Sequence, residues 1–325
     1  MSENLPQNLG LDLVRVTEAA AVAAGRWMGL GKLVDADRAA TEAMLNALNK
    51  INIDGRIVIG EETKLGLHSP LDSGQHVGTG DGPSVDVVVD PIDGRKLLAK
   101  GQKGAISVIG VAPRSTMWSP GPAAYMEKLV VDSDVAEALV EECLHAPAAW
   151  TLALIARIKH KTIRDLIVFV LDRPRHYDLI EEIRQAGAKV MLAPEGDISG
   201  AIEAATVQSH IDVLMGIGGV AEGVIAACAV KSLEGAMLGQ LAPQGPDERA
   251  ALQAVGLLNQ RPILTCNDLV ASKEIFFVAT AITDSSILSG VRYRGNKART
   301  NSMILRCETG TQRLIQANHL INETH

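Results

Sequence analysis

An α/β fold is what this sequence predicts, and three observations carry the expectation. Hydrophobic residues make up 47% of the 325-residue chain but aromatics only 3%. The core must therefore be built from Ala, Val, Ile and Leu, which suits layers of helix and sheet better than a β-sandwich. Short β-branched runs fill the first half, and from about Asp165 the pattern becomes a strict alternation of strand and helix. A chain of this length buries its core as one large domain or two subdomains. The change of texture places the boundary near residue 160, giving an N-terminal α+β part (1–160) and a C-terminal α/β part (161–325).

Residues 11–28 (LDLVRVTEAAAVAAGRWM) repeat apolar positions at helical spacing and stop at Gly29 and Gly31. A second helix covers about 36–49. The runs 56–59, 85–89, 105–111 and 128–131 read as strands of one sheet. Between them, residues 62–82 form a loop with Gly, Ser and His but no periodicity, a segment suited to covering a site. LIVFVL, a helix from His176, KVMLA, a helix from Ile198, IDVLMGI and a helix from Glu222 then make a βαβαβα series, which predicts parallel strands. IFFVATAI, GVRYRG, NSMILR and TQRLIQ return the chain to strands.

Charge and composition exclude several functions. A net charge of −7 with no basic segment interleaved with aromatics argues against nucleic-acid binding. Cys143, Cys228, Cys266 and Cys307 are scattered, without CxxC spacing, and mostly lie in apolar stretches, which fits a reducing compartment. The start lacks a basic-then-apolar signal, and no apolar run reaches the roughly 18 residues of a membrane span. A soluble cytoplasmic protein is expected.

The most informative stretch is VDVVVDPIDGRKLLAK, 85–100. A valine strand delivers Asp90 and Asp93 onto a Pro-Ile-Asp-Gly turn, and hard oxygen ligands there suit Mg²⁺ or Mn²⁺ serving substrate phosphates. Arg95 and Lys96 follow at once. RIVIGEE (56–62) likewise ends a strand in Gly and two carboxylates, Glu61 and Glu62; ligands of α/β proteins gather at such carboxyl ends, although an acidic residue there is more often a solvated loop charge. LDRPRH (171–176) offers Arg173 and Arg175 as phosphate clamps, set against solvated arginines of a turn, with His176 as a helix-start residue. MGIGGVAEG places Gly216, Gly218 and Ala221 in a GxGxxA pattern, the mark of a dinucleotide-binding oxidoreductase. Glu222 in the following helical turn would repel a pyrophosphate but would serve as a metal ligand.

Taken together, VRVTEAAAVAAGRWMG, ADRAATEAM, RIVIGE, GTGDGPSVDVVVDPIDG, ISVIGVA, YMEKL, LDRPRH, EGD, LMGIGGVAEGVIAA and FFVATAITD resemble class II fructose-1,6-bisphosphatase along nearly the whole chain. The resemblance implies a layered α/β/α/β/α sandwich of the sugar phosphatase and inositol monophosphatase superfamily. It also implies Mg²⁺- or Mn²⁺-dependent removal of the 1-phosphate of fructose 1,6-bisphosphate, as in gluconeogenesis, by a homodimer or homotetramer. Residue by residue, it makes Asp37, Glu61, Asp90, Asp93 and Glu222 the metal ligands. Catalytic positions are Glu61, Asp90, Asp93 and Arg95, the last where the family carries threonine. Substrate positions are Asp93, Gly94, Arg95, Tyr125, Arg173, Pro174, Arg175, Glu195, Gly196, Asp197 and Gly219.

The chain departs from the family pattern near the chemistry. Besides Arg95 and Lys96, Leu33 stands where a lysine is expected, Glu62 replaces glycine, Glu195 replaces aspartate and Ala221 replaces proline. A guanidinium cannot stand in for a hydroxyl that orients water. Either the two cations pair with the carboxylates and lower metal affinity, or Arg95 swings to solvent and only the hydroxyl is lost. Three functions follow: a sugar bisphosphatase of reduced activity, a silent sugar-phosphate-binding or regulatory paralogue, and, more remotely, the oxidoreductase.

Overall fold

The structure is a computed structural model that describes residues 5–61, 69–260 and 262–321. Glu62 lies outside the described residues, and the loop that contains it is seen from residue 69 onward.

The chain forms two compact units, Met1–Met117 with Ser272–His325, and Trp118–Ala271. In the first unit, helices α1 (Leu9–Gly25) and α2 (Leu33–Leu48) precede strands β1 (Asp54–Ile59), β2 (His76–Val77) and β3 (Ser84–Asp93). The short helix α3 (Arg95–Ala99) and strand β4 (Ile106–Pro113) follow. The second unit begins with β5 (Tyr125–Val131), α4 (Ser133–Ala136), α5 (Ala148–Ile158), β6 (Ile167–Leu171), α6 (Tyr177–Gln185) and β7 (Lys189–Ala193). It continues through α7 (Asp197–Ala205), β8 (Val213–Gly219), α8 (Val220–Ser232), β9 (Ala236–Leu241), α9 (Pro246–Ala254), α10 (Leu257–Gln260), β10 (Leu264–Thr265) and α11 (Cys266–Leu269). Strands β11 (Phe276–Ala281), β12 (Arg292–Arg294), β13 (Lys297–Arg306) and β14 (Thr311–Leu320) return to the first unit.

The first sheet runs β12-β13-β11-β4-β3-β1-β2, with β14 on the other side of β13; β1 and β3 are parallel and the remaining pairs antiparallel. The second runs β10-β9-β5-β8-β6-β7. Here β6 is parallel to both β7 and β8, as the alternating pattern predicts. The architecture is thus mixed α/β, with two multi-stranded mixed sheets and their helices, consistent with an α/β sandwich. One expectation fails: the run 128–131 belongs to β5 in the second sheet, whereas 56–59, 85–89 and 105–111 lie in the first. A β-branched run reports burial, not its partner. The boundary expected near residue 160 falls within the second unit, between α5 and β6.

Helix α1 buries Leu9, Leu13, Val16, Ala20 and Ala24, a stripe of helical period. A buried hydroxyl chain adds direction to that packing: Thr17 meets Thr280 at 2.7 Å, and Thr280 meets Ser302 at 2.8 Å, joining α1 to β11 and β13. Every residue of β3 after Ser84 is buried, as expected of a strand flanked on both edges. Among the described residues no helix is long and apolar enough to cross a membrane.

Candidate active site

The four carboxylates of the first unit singled out by the sequence are all buried: Asp37 at 6% exposure, Glu61 at 4%, Asp90 at 3% and Asp93 at 6%. Burial of this kind is costly unless a positive partner or hydrogen-bond donors face the charge. Residues three apart in a regular strand point to opposite faces. Here Asp90 pairs with Val108 and Asp93 with Ile106, so three steps along β3 oppose two along β4. The extra residue is a bulge that restores parity and puts both aspartates on the same face. Within it, the Ile92 amide donates to Asp90 Oδ1 at 3.1 Å.

Glycines fix the ends of these segments. A Cβ on Gly60 would lie 1.7 Å from the Leu71 carbonyl oxygen, and the next residue, Glu61, donates its amide to that carbonyl at 3.2 Å. Gly94 has φ +86°, which ends β3 and starts α3. Asp37 sits one turn into α2 on its buried side.

Arg95 turns inward. Its Nη1 lies 3.4 Å from Asp37 Oδ1, with the Arg95 side chain 25% exposed and Asp37 8%. Lys96 is exposed, and Lys32 places its Nζ 5.8 Å from the centre of the Trp27 ring. Leu33, half-buried, begins α2. Of the two fates the sequence left open for Arg95, pairing is the one observed. Among the described residues no three Asp, Glu, His or Cys side chains converge closely enough to hold a metal ion.

In the second unit, Tyr125 of β5 lies opposite Gly219 of β8. The guanidinium carbon of Arg175 is 5.2 Å from the Tyr125 ring centre, and its Nε and Nη2 donate to the Ile217 carbonyl at 3.1 and 2.7 Å. Burial pulls the Arg175 pKa down, with Tyr125 and Asp197 opposing that shift and Arg173 adding to it. The group stays charged because its ordinary value is so high. Arg173 instead donates to the Asp172 carbonyl at 3.1 Å, so the two arginines do not form one fork. Pro174 opens the short turn between them.

Asp197 begins α7 after Gly196, which has φ +97°, with half-buried Glu195 before it. The Asp197 carboxylate forms an ion pair with Lys128, whose side chain is 2% exposed and also donates to the Gly219 carbonyl at 3.1 Å. Sequence reasoning missed Lys128. Its signal was a lysine at an inward position of YMEKLVV, between fully buried Met126 and Val130. His176, expected as a helix-start residue, is also a bolt between β6 and β8. Its Nε2 accepts from the Ile217 amide at 2.7 Å, which leaves Nδ1 to donate to the Leu171 carbonyl at 2.6 Å.

The glycine turn is filled by the protein's own side chains. A Cβ on Gly216 would meet the His176 ring at 3.0 Å, one on Gly218 the Asp197 carboxylate at 1.9 Å, and one on Gly219 the Glu222 carboxylate at 1.8 Å. Glu222 thus folds back on Gly219 in the first turn of α8, where the helix dipole favours an anion. The close approach that would serve a pyrophosphate is taken by carboxylates, and the oxidoreductase reading falls.

The first unit holds buried hard-oxygen donors and the second an Arg–Tyr–Asp cluster at strand ends, chemistry suited in each case to phosphorylated small molecules. The chain belongs to the family described as bacterial fructose-1,6-bisphosphatase, glpX-encoded, which it matches over residues 7–319. It is 34% identical to a D-fructose 1,6-bisphosphatase class 2/sedoheptulose 1,7-bisphosphatase of Microcystis aeruginosa, covering 98% of each chain. A relative of the same name from Synechococcus sp. strain JA-3-3Ab is 35% identical, over 97% of this chain and 96% of its own.

Proposed function

We propose that this protein hydrolyses the 1-phosphate of fructose 1,6-bisphosphate to give fructose 6-phosphate and phosphate, at a rate lowered by Arg95. Family membership implies dependence on a divalent metal. The chemistry of the donors suits a hard ion, since Asp37, Glu61, Asp90 and Asp93 offer only carboxylate oxygen, and we read that ion as Mg²⁺ or Mn²⁺. Asp37, Glu61, Asp90 and Asp93 of the first unit are the residues we assign to it, and Glu222 keeps a metal-ligand assignment within the second unit. When bound, such an ion polarises the phosphate and supplies a nucleophilic water at neutral pH.

The chain's own residues do the rest. Asp90 and Asp93 share a face because of the β3 bulge, which fixes where their oxygens point. Arg175, held by Ile217 and stacked on Tyr125, presents a fixed positive charge for the distal phosphate. Lys128 holds Asp197 beside Gly218, leaving the carboxylate to orient sugar hydroxyls. Arg173, Glu195, Gly196 and Gly219 complete the assigned sugar-phosphate positions, and Gly94 lets the chain turn beside Asp93. Cytoplasmic location and a homodimer or homotetramer belong to the same reading.

The observation that carries the reduced rate is the Arg95–Asp37 contact at 3.4 Å. Losing one positioned catalytic group costs about two to four orders of magnitude in rate. Phosphate release from fructose 1,6-bisphosphate, with Mg²⁺ or Mn²⁺, is compared between the protein and its Arg95→Thr, Lys96→Thr form. Faster release by the variant supports the reading. Equal rates place Arg95 clear of the reaction, and silence from both leaves a sugar-phosphate-binding paralogue.

A further inference from the structure

We infer that Arg95 is a resident cation on Asp37, taking electrostatically the place of one divalent ion, so that this protein binds one ion fewer than its carboxylates could hold. The inference rests on the assignment of Asp37 as a metal ligand. It concerns which charge that carboxylate meets in the folded chain.

Position makes the contact informative. Arg95 is the first residue of α3, where the exposed amides of a helix N-terminus disfavour a cation. A guanidinium stays inward at such a point only if an anion holds it. Asp37 is that anion: its side chain is 8% exposed, so the pair lies largely out of solvent and is screened less than a surface contact. Lys96, the next residue, is exposed, and Lys32 places its Nζ 5.8 Å from the Trp27 ring centre.

A carboxylate that already faces a guanidinium has less to gain from a second cation, and the two cations repel. The effect should therefore appear as a missing equivalent of metal, independent of catalytic turnover.

The test counts Mn²⁺ on the whole protein by calorimetry and by the electron paramagnetic resonance of bound ion. Arg95→Met keeps much of the side-chain volume without charge, Arg95→Gln is a second neutral form, and Arg95→Lys keeps the charge. Thermal melts verify that each is folded. The neutral variants should bind one more Mn²⁺ per chain than the unaltered protein and Arg95→Lys. Adding Asp37→Asn to Arg95→Met should remove that extra ion.

Equal ion counts in neutral variants and the unaltered protein overturn the inference, as does an extra ion that survives Asp37→Asn or that Arg95→Lys also gains. An Asp90→Asn control separates the two readings. If the unaltered protein binds Mn²⁺ and loses it in Asp90→Asn while Arg95→Met gains none, only the Arg95 inference fails. If no form binds Mn²⁺, the assignment of the metal ligands fails as well.

Discussion

Replacing Lys128 by Met should destabilise the second unit more than any surface change. The Lys128 side chain is 2% exposed and its partner Asp197 10%, and the ammonium also serves the Gly219 carbonyl at 3.1 Å. Met fills a similar volume, so little cavity forms. What remains is a carboxylate held near Gly218 with its counter-charge gone. Removing one partner of a buried ion pair costs about 3–5 kcal/mol because the other charge is left uncompensated. At roughly 2–4 °C per kcal/mol for a unit of this size, the melting temperature should fall by about 6–20 °C. The assay is urea unfolding of Lys128→Met, Asp197→Asn and the double variant, followed by tryptophan fluorescence and far-UV circular dichroism. The double variant should recover at least about 2 kcal/mol of the single-variant loss, since both charges leave together. A Lys128→Met loss below about 1 kcal/mol, or a double variant no better than additive, would refute the view that this pair is a desolvated one. That outcome would make Lys128 a solvated neighbour of Asp197.

Three further outcomes follow from single contacts. Burial lowers the His176 pKa below its ordinary 6.5, so the unfolded chain takes up the proton more readily. Its contribution to stability is complete above about pH 6.5 and is lost as pH falls through the depressed folded value; in melts at pH 7.5 and 5.5, His176→Gln should show a smaller drop than the unaltered protein. A Gly219→Ala side chain would meet the Glu222 carboxylate at 1.8 Å and push it away; Mn²⁺ affinity measured by calorimetry should fall at least about tenfold, a loss of about 1.4 kcal/mol. Gly60→Ala would place its Cβ 1.7 Å from the Leu71 carbonyl, a backbone atom that cannot swing aside; urea unfolding should show a loss of about 1–3 kcal/mol or more.

The parts of this protein legible in sequence are those set by neighbouring residues. The helices α1 and α2, the alternation from β6 to α8 and the DPIDG turn follow from periodicity, valine runs and Pro–Gly punctuation within a few residues. Most of the candidate site was placed by blocks of residue types, and the geometry gives those blocks reasons. Gly60 precedes Glu61 because the Leu71 backbone closes on it, and Gly218 and Gly219 are small because carboxylates lie on them. The GxGxxA pattern misled for that same reason: a glycine shows that something approaches closely, without saying what.

What the sequence concealed depends on partners far away along the chain. The run 128–131 has the same β-branched texture as β1 and β3, and only its pairing with β8 and β9 assigns it to the second sheet. The closing strands β11 to β14 join the first unit through β11 on β4, a partner more than 160 residues earlier, so a boundary drawn from local texture could not find them. The shared face of Asp90 and Asp93 likewise belongs to no local pattern. Their three-residue spacing alone predicts opposite faces, and it is the register against Val108 and Ile106 that turns them together. Arg95 follows the same logic. Its position after Gly94 is local, but the choice between solvent and carboxylate is made by Asp37, which arrives on α2 from 58 residues away.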